Sequence, residues 1–141
     1  MSIDCGPDLT KHFEGYDAGV YICPAGYPTT GWGSKLDDRQ FKSTKEWHEQ
    51  LFRERYAQAE AACDALGLDL DGCRRAAVVD LIYNLGAAGF AKFHATLAAM
   101  RMRDWIAAAT CLEQSKWYKQ VGRRGARICS LIRTGKWESL T

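Results

Sequence analysis

A chain of 141 residues, 47% hydrophobic and 26% charged, has the length of one globular domain and is neither disordered nor fibrous in composition. No run reaches the roughly 18 to 20 apolar residues of a membrane span, since the longest candidate, Ala76 to Leu85, is interrupted by Asp80 and Asn84. The net charge of +2 hides an asymmetry: residues 1–100 hold 10 Lys and Arg against 14 Asp and Glu, and residues 101–141 hold 9 against 3.

The opening, MSIDCGPDLTKHFEG, has no basic segment followed by an apolar one, so no secretory leader is expected. Asp8 or Thr10 can cap a short helix that runs to Glu14. From Gly15 to Gly33 five glycines punctuate short aromatic and β-branched pieces. Val20-Tyr21-Ile22 and Thr29-Thr30-Gly31-Trp32 read as strands, joined by a turn over residues 23–28. Ser43 with Glu46 three residues later fits a capping box. Phe52, Tyr56, Ala59, Cys63 and Leu66 then follow at helical spacing, and Gly67 is the stop. That helix, about twenty residues and roughly 30 Å long, can bridge two lobes.

A second helix starts at Asp71 or Gly72 and runs through Leu85, with Gly86 and Gly89 ending it. It is apolar nearly all round, which predicts a place at the centre of the larger lobe. Its two polar interior residues, Asp80 and Asn84, fall on one face. Shorter helices are expected around 93–100, 104–113 and 123–133, the last closed by Gly135. The expected class is α+β: a small N-terminal antiparallel β lobe (about 12–45) and a larger helical lobe (about 66–141) within a single domain, 1–141, joined by the long helix with a cleft between.

Cys5, Cys23, Cys63, Cys73, Cys111 and Cys129 show no C-x-x-C spacing, so no metal site is expected. Their pairing is left open; Cys63 and Cys73 flank a short loop and are the pair the spacing suggests. His12, His48 and His94 lack ligand or triad spacing and are expected to be structural or exposed. The basic last third reads first as a solvated helical face and second as a surface for an anionic polymer. No groove-reading motif accompanies that charge, so no nucleic-acid partner is expected.

Glu14 falls where a helix carrying Phe13 meets the Gly-rich turn, a partly desolvated junction that favours a protonated carboxyl. Read onward, Phe13-Glu14-Gly15, then Tyr21-Ile22-Cys23-Pro24-Ala25-Gly26, then Thr29-Thr30-Gly31-Trp32-Gly33, resembles the active-site segment of the phage lysozymes, or endolysins, of glycoside hydrolase family 24. Arg74-Arg75-Ala76 through Tyr83-Asn84-Leu85-Gly86 resembles that family's central helix. Ser115-Lys116-Trp117-Tyr118, Arg124, Arg127 and Arg133-Thr134-Gly135-Lys136-Trp137 resemble its closing helices. The matched segments cover well over half of the chain in order.

The resemblance implies a muramidase that cleaves the β-1,4 bond between N-acetylmuramic acid and N-acetylglucosamine with inversion. It implies Glu14 as general acid, Cys23 as the group that assists the attacking water or stabilises developing charge, and Thr29 as the hydroxyl positioning that water. A neutral thiol at Cys23 acts as a polar neighbour of the water; a thiolate would need a lowered pKa. Lys35, Tyr83, Thr96 and Cys111 fall where the family contacts the sugar chain, and Arg124 where a family Arg lies beside the catalytic Glu. Ser34 stands where the family often has a His paired with a carboxylate, and the segment from Lys35 to Lys42 is shorter than in larger relatives. No cofactor or metal is implied. The expected partner is peptidoglycan, the expected state a monomer, with synthesis in the host cytoplasm and release to the periplasm through a holin-type partner. The competing expectation is an inactive wall-binding or phage structural module with the same fold.

Overall fold

The computed structural model describes residues 5–22, 28–35 and 44–137. In chain order these form α1 (Pro7–Glu14), β1 (Asp17–Ile22), β2 (Pro28–Gly31), β3 (Ser34–Lys35), α2 (Lys45–Ala65), α3 (Gly72–Leu85), α4 (Ala87–Ala91), α5 (His94–Arg101), α6 (Trp105–Glu113), α7 (Lys116–Val121) and α8 (Arg123–Thr134). The class is α+β, as the residue pattern predicts.

The strands form one antiparallel sheet in the order β1-β2-β3. Tyr21 faces Thr29 across the first pair, and Thr29 faces Lys35 across the second. The third strand is new relative to the sequence reading: two residues are too few to display an alternation. Trp32, expected in a strand, lies in the turn between β2 and β3.

Helix α2 connects this sheet to the helical layer, packing on β2, β3 and α3. Its N-cap is Thr44, whose Oγ1 accepts the Trp47 N–H at 3.3 Å; the expected cap, Ser43, lies outside the described residues. The predicted stripe is buried from Phe52 through Tyr56 and Ala59 to Cys63. His48 extends it toward the sheet, 1% exposed, with Nδ1 2.7 Å from the Tyr16 hydroxyl and Nε2 3.2 Å from Thr30 Oγ1. Trp32 packs against both Tyr16 and Phe52, and the Lys11 ammonium lies 4.2 Å from the Trp32 ring centroid.

Helix α3 is central: every residue from Ala76 to Ile82 is buried, and it touches α1, α2, α4 and α8. Asp71 caps it by accepting the Arg74 N–H at 3.0 Å. Arg74 in turn donates to the carbonyls of Ile132 and Arg133, which satisfies acceptors at the end of α8. Gly86, at φ 79°, closes α3 and opens α4 in one residue. Gly86 thus ends α3 as expected, whereas Gly89, the second expected stop, lies inside α4. Helix α7, of six residues, is too short to register as a periodicity; Ser115 Oγ caps it through the Tyr118 N–H.

Two expectations are corrected. Neither Asp8 nor Thr10 caps α1; Gly6 takes that position with Pro7 following, and Thr10 is buried and bonded elsewhere. Cys73 pairs with Cys5, not with Cys63, at a Cα–Cα distance of 5.1 Å. Cys63 points from α2 into the core, whereas Cys73, in the first turn of α3, meets the segment ahead of α1. Cys63, Cys111 and Cys129 are free thiols. Burial pushes the Cys63 thiol up to about 11, so it packs as a small neutral hydrophobe. Among the described residues no helix is long and apolar enough to cross a membrane.

Candidate active site

Glu14 is the last residue of α1, one helical turn after Thr10, so both side chains leave the same face. Thr10 Oγ1 donates to Asp80 Oδ1 at 2.6 Å. Asp80, on α3, is completely buried and accepts two further bonds from Arg124 of α8, from Nε and Nη2 at 3.0 Å each. The remaining arm of the guanidinium, Nη1, donates to Glu14 Oε1 at 2.7 Å. One chain of hydrogen bonds, Thr10–Asp80–Arg124–Glu14, thus pins three helices around a single cation.

The Glu14 side chain is 16% exposed and that of Arg124 10%. Burial raises the Glu14 pKa; Arg124 opposes this by charge and hydrogen bond, and the Asp80 charge adds to the rise. The outcome has a structural reason. Arg124 already engages Asp80 bidentately, so Glu14 is the second carboxyl drawing on one guanidinium, and desolvation prevails. Arg124 itself, held between two acids, is kept charged.

The turn after β2 meets the acid directly. Gly33 has φ 69°, and a Cβ built there would fall 2.7 Å from the Glu14 carboxyl carbon. Tyr83 fixes the same turn to α3 by donating to the Trp32 carbonyl at 2.7 Å, with its hydroxyl 3.1 Å from Ser34 Oγ. Ser34 is therefore bonded to a tyrosine where the resemblance suggests a His–carboxylate pair.

Thr29 lies on the central strand, 2% exposed. Its neighbour Thr30 donates to the Gly19 carbonyl at 2.6 Å on the His48 side, so strand alternation sends Thr29 to the other face. Cys23 lies outside the described residues. Of the expected sugar contacts, Lys35 and Tyr83 line a pocket of about 240 Å³ that also includes Gly33. Thr96 and Cys111 line a second, of about 390 Å³, with Phe93 and Ser115. Arg124, expected beside Glu14 and counted with the substrate-binding residues, lies beside Glu14 and lines neither of these two pockets; its hydrogen bonds go to Asp80 and Glu14.

The sequence reading missed Thr10 and Asp80 as members of the site. A signal existed for Asp80, because an acid in the middle of an apolar helix needs a partner when buried. Asn84, one turn on, instead accepts the Trp117 indole N–H at 3.0 Å. Among the described residues no group of three or more His, Cys, Asp or Glu could hold a metal.

The phage lysozyme profile matches residues 11–138, a span that holds Glu14, the hairpin, α3 and α8. The chain belongs to the phage lysozyme family. It is 36% identical over 66 residues to the pre-baseplate central spike protein of Enterobacteria phage T4, covering 47% of this chain and 12% of that protein. It is 31% identical over 67 residues to probable T4-type lysozyme 2 of Dictyostelium discoideum, covering 48% of this chain and 39% of the relative. Probable T4-type lysozyme 1 of the same organism is 28% identical over 67 residues. These alignments span less than half the length of each relative.

Proposed function

We propose that this chain is a muramidase: a single lysozyme domain that hydrolyses the bond between N-acetylmuramic acid and N-acetylglucosamine in peptidoglycan. The observation that carries the reading is Glu14, an acid whose burial favours the protonated form, held at 2.7 Å from a guanidinium at the edge of a glycine turn.

Protonated Glu14 delivers its proton to the glycosidic oxygen, and the C–O bond breaks as positive charge develops on the sugar. The carboxylate left behind gains full charge next to Arg124, which needs no movement to stabilise it. Water attacks the opposite face, guided by Thr29 and Cys23, giving inversion; its surplus proton returns the site to its starting state. Lys35 and Tyr83 contact the sugar chain on one side, Thr96 and Cys111 on the other, while Arg124 positions Glu14. The protein acts as a monomer without metal or organic cofactor. Made in the host cytoplasm, it reaches the wall in the periplasm with the help of a holin-type partner.

The similarity to a phage spike protein favours one alternative, a non-catalytic structural module of the same fold. A module that only binds has no use for a carboxyl whose pKa burial raises at the edge of a glycine turn. Clearing of permeabilised Gram-negative cells by the parent, lost in Glu14→Gln, is the outcome expected of the enzyme. Equal behaviour of the two proteins would eliminate acid catalysis by Glu14.

A further inference from the structure

Strand β1 passes β2 with an irregularity. Asp17 stands opposite Gly31 and Val20 opposite Thr30, so Ala18 and Gly19 have no β2 residue facing them. A bulge of this kind interrupts the ladder and leaves backbone polar groups to be satisfied by other means. Two side chains do so: Asp17 Oδ1 accepts the Gly19 N–H at 2.8 Å, and Thr30 Oγ1 donates to the Gly19 carbonyl at 2.6 Å. That second bond fixes the protons around His48. A threonine hydroxyl has one hydrogen to give, so Thr30 Oγ1 accepts from His48 Nε2, 3.2 Å away. Nδ1 of the neutral ring then accepts from the Tyr16 hydroxyl at 2.7 Å. The donors run one way, from Tyr16 to His48 to Thr30 to the Gly19 carbonyl. The ring is 1% exposed and set between Tyr16 and Trp47, whose ring centroids lie 5.4 and 5.3 Å away. A Cβ at Gly31 would fall 3.2 Å from that of His48. Helix α2 thus reaches through His48 to the strand residue next to Thr29.

We infer that His48 and Thr30 are positioning residues for the reaction: by closing the β1 bulge onto β2 they set where the Thr29 hydroxyl stands, and so where the attacking water is held. The inference rests on the muramidase reading, in which Thr29 guides that water. Neither residue touches the reacting atoms, because Thr30 faces the side of the sheet away from Thr29. Bulges beside active sites re-aim a neighbouring side chain in this way. Loss of the Thr30 bond should therefore act on kcat and leave sugar binding, which uses the other face, unchanged.

The test measures kcat and KM on soluble glycan strands at a temperature where every variant is folded by circular dichroism. Thr30→Val removes the hydroxyl and keeps the shape, whereas Thr30→Ser keeps the hydroxyl. His48→Asn keeps an acceptor for Tyr16 and loses the donor to Thr30, whereas His48→Gln can keep that donor. Thr30→Val and His48→Asn should each lower kcat about tenfold, with KM within about twofold of the parent, since small misplacements act on rate more than on binding. Thr30→Ser and His48→Gln should restore most of the loss. In a Thr29→Ala background, which leaves no hydroxyl to position, Thr30→Val and His48→Asn should lower kcat no further. A parental kcat in both Thr30→Val and His48→Asn, or the same loss in both backgrounds, overturns the positioning role and leaves the muramidase reading intact. A parent without activity refutes that reading, and Thr29→Ala at the parental rate removes Thr29 from it; the inference falls in either case.

Discussion

The carboxyl of Glu14 occupies the space that a side chain at Gly33 would need: a Cβ there would approach closer than real Cβ atoms do, at a backbone φ of 69°. The turn is therefore shaped around the acid, and the acid is held between that turn and Arg124. Gly33→Ala must either expel the carboxyl or leave the left-handed region, which an L-residue occupies at a cost of about 1–2 kcal/mol. Since an ångström of misplacement can cost about a hundredfold in rate, the variant should remain folded by circular dichroism and clear cells at least tenfold more slowly (about 1.4 kcal/mol). Clearing at the parental rate would mean that the position of Glu14 does not matter.

Asp80 sets the electrostatics of the acid without touching it. Its charge raises the Glu14 pKa, and it shares the guanidinium that would lower it. In Asp80→Asn the amide oxygen can keep the bonds from Thr10 and from Arg124 Nη2, the bond from Nε is lost, and the competing charge is gone, so Arg124 acts on Glu14 alone and the Glu14 pKa falls. Activity that needs protonated Glu14 declines as pH rises through that pKa. The alkaline limb of the kcat/KM profile should therefore move to lower pH in the variant. An unmoved limb would separate Asp80 from the acid.

The sheet end of the molecule should weaken in acid because of His48. Burial lowers its pKa, with the Asp17 charge opposing, so the folded state favours the neutral ring between Tyr16 and Thr30. The unfolded chain takes up its proton near pH 6.5. The stabilisation is thus complete above about pH 6.5 and is lost as pH falls from there toward the folded-state pKa. Melting temperatures at pH 7.5 and 5.5 should differ more for the parent than for His48→Gln. Equal differences would contradict the assignment.

The Cys5–Cys73 bond closes a separation of 68 residues that contains the sheet and all of α2. Loop-closure entropy gives it a worth of roughly 4 kcal/mol. Reduction, or Cys73→Ser, should lower the melting temperature by several degrees, while Cys63→Ser should be insensitive to reductant beyond what the parent shows. A parent whose melting is the same with and without reductant would refute the bond.

How much of this was legible before the structure differs by element. The α2 stripe and the all-apolar α3 are long patterns whose burial follows from periodicity. The place of Glu14 at a helix end beside a glycine turn was legible because a helix pattern and a glycine run meet there. What short patterns hide is different in kind. Strand β3, α4 and α7 have two to six residues, fewer than a period needs to declare itself. The pairing of Arg124 with both Asp80 and Glu14 spans 44 and 110 residues of chain, and only the packing of α1, α3 and α8 brings it about. The Cys5–Cys73 pairing is likewise a property of how α1 approaches α3, so proximity along the chain pointed to the wrong partner.

Mass spectrometry of peptidoglycan digested by the parent and by Glu14→Gln tests the enzymatic reading most directly. The parent should release muropeptides with N-acetylmuramic acid at a new reducing end, and Glu14→Gln should release almost none. Products ending in N-acetylglucosamine, products cut only in the peptide, or equal yields from the two proteins would contradict it.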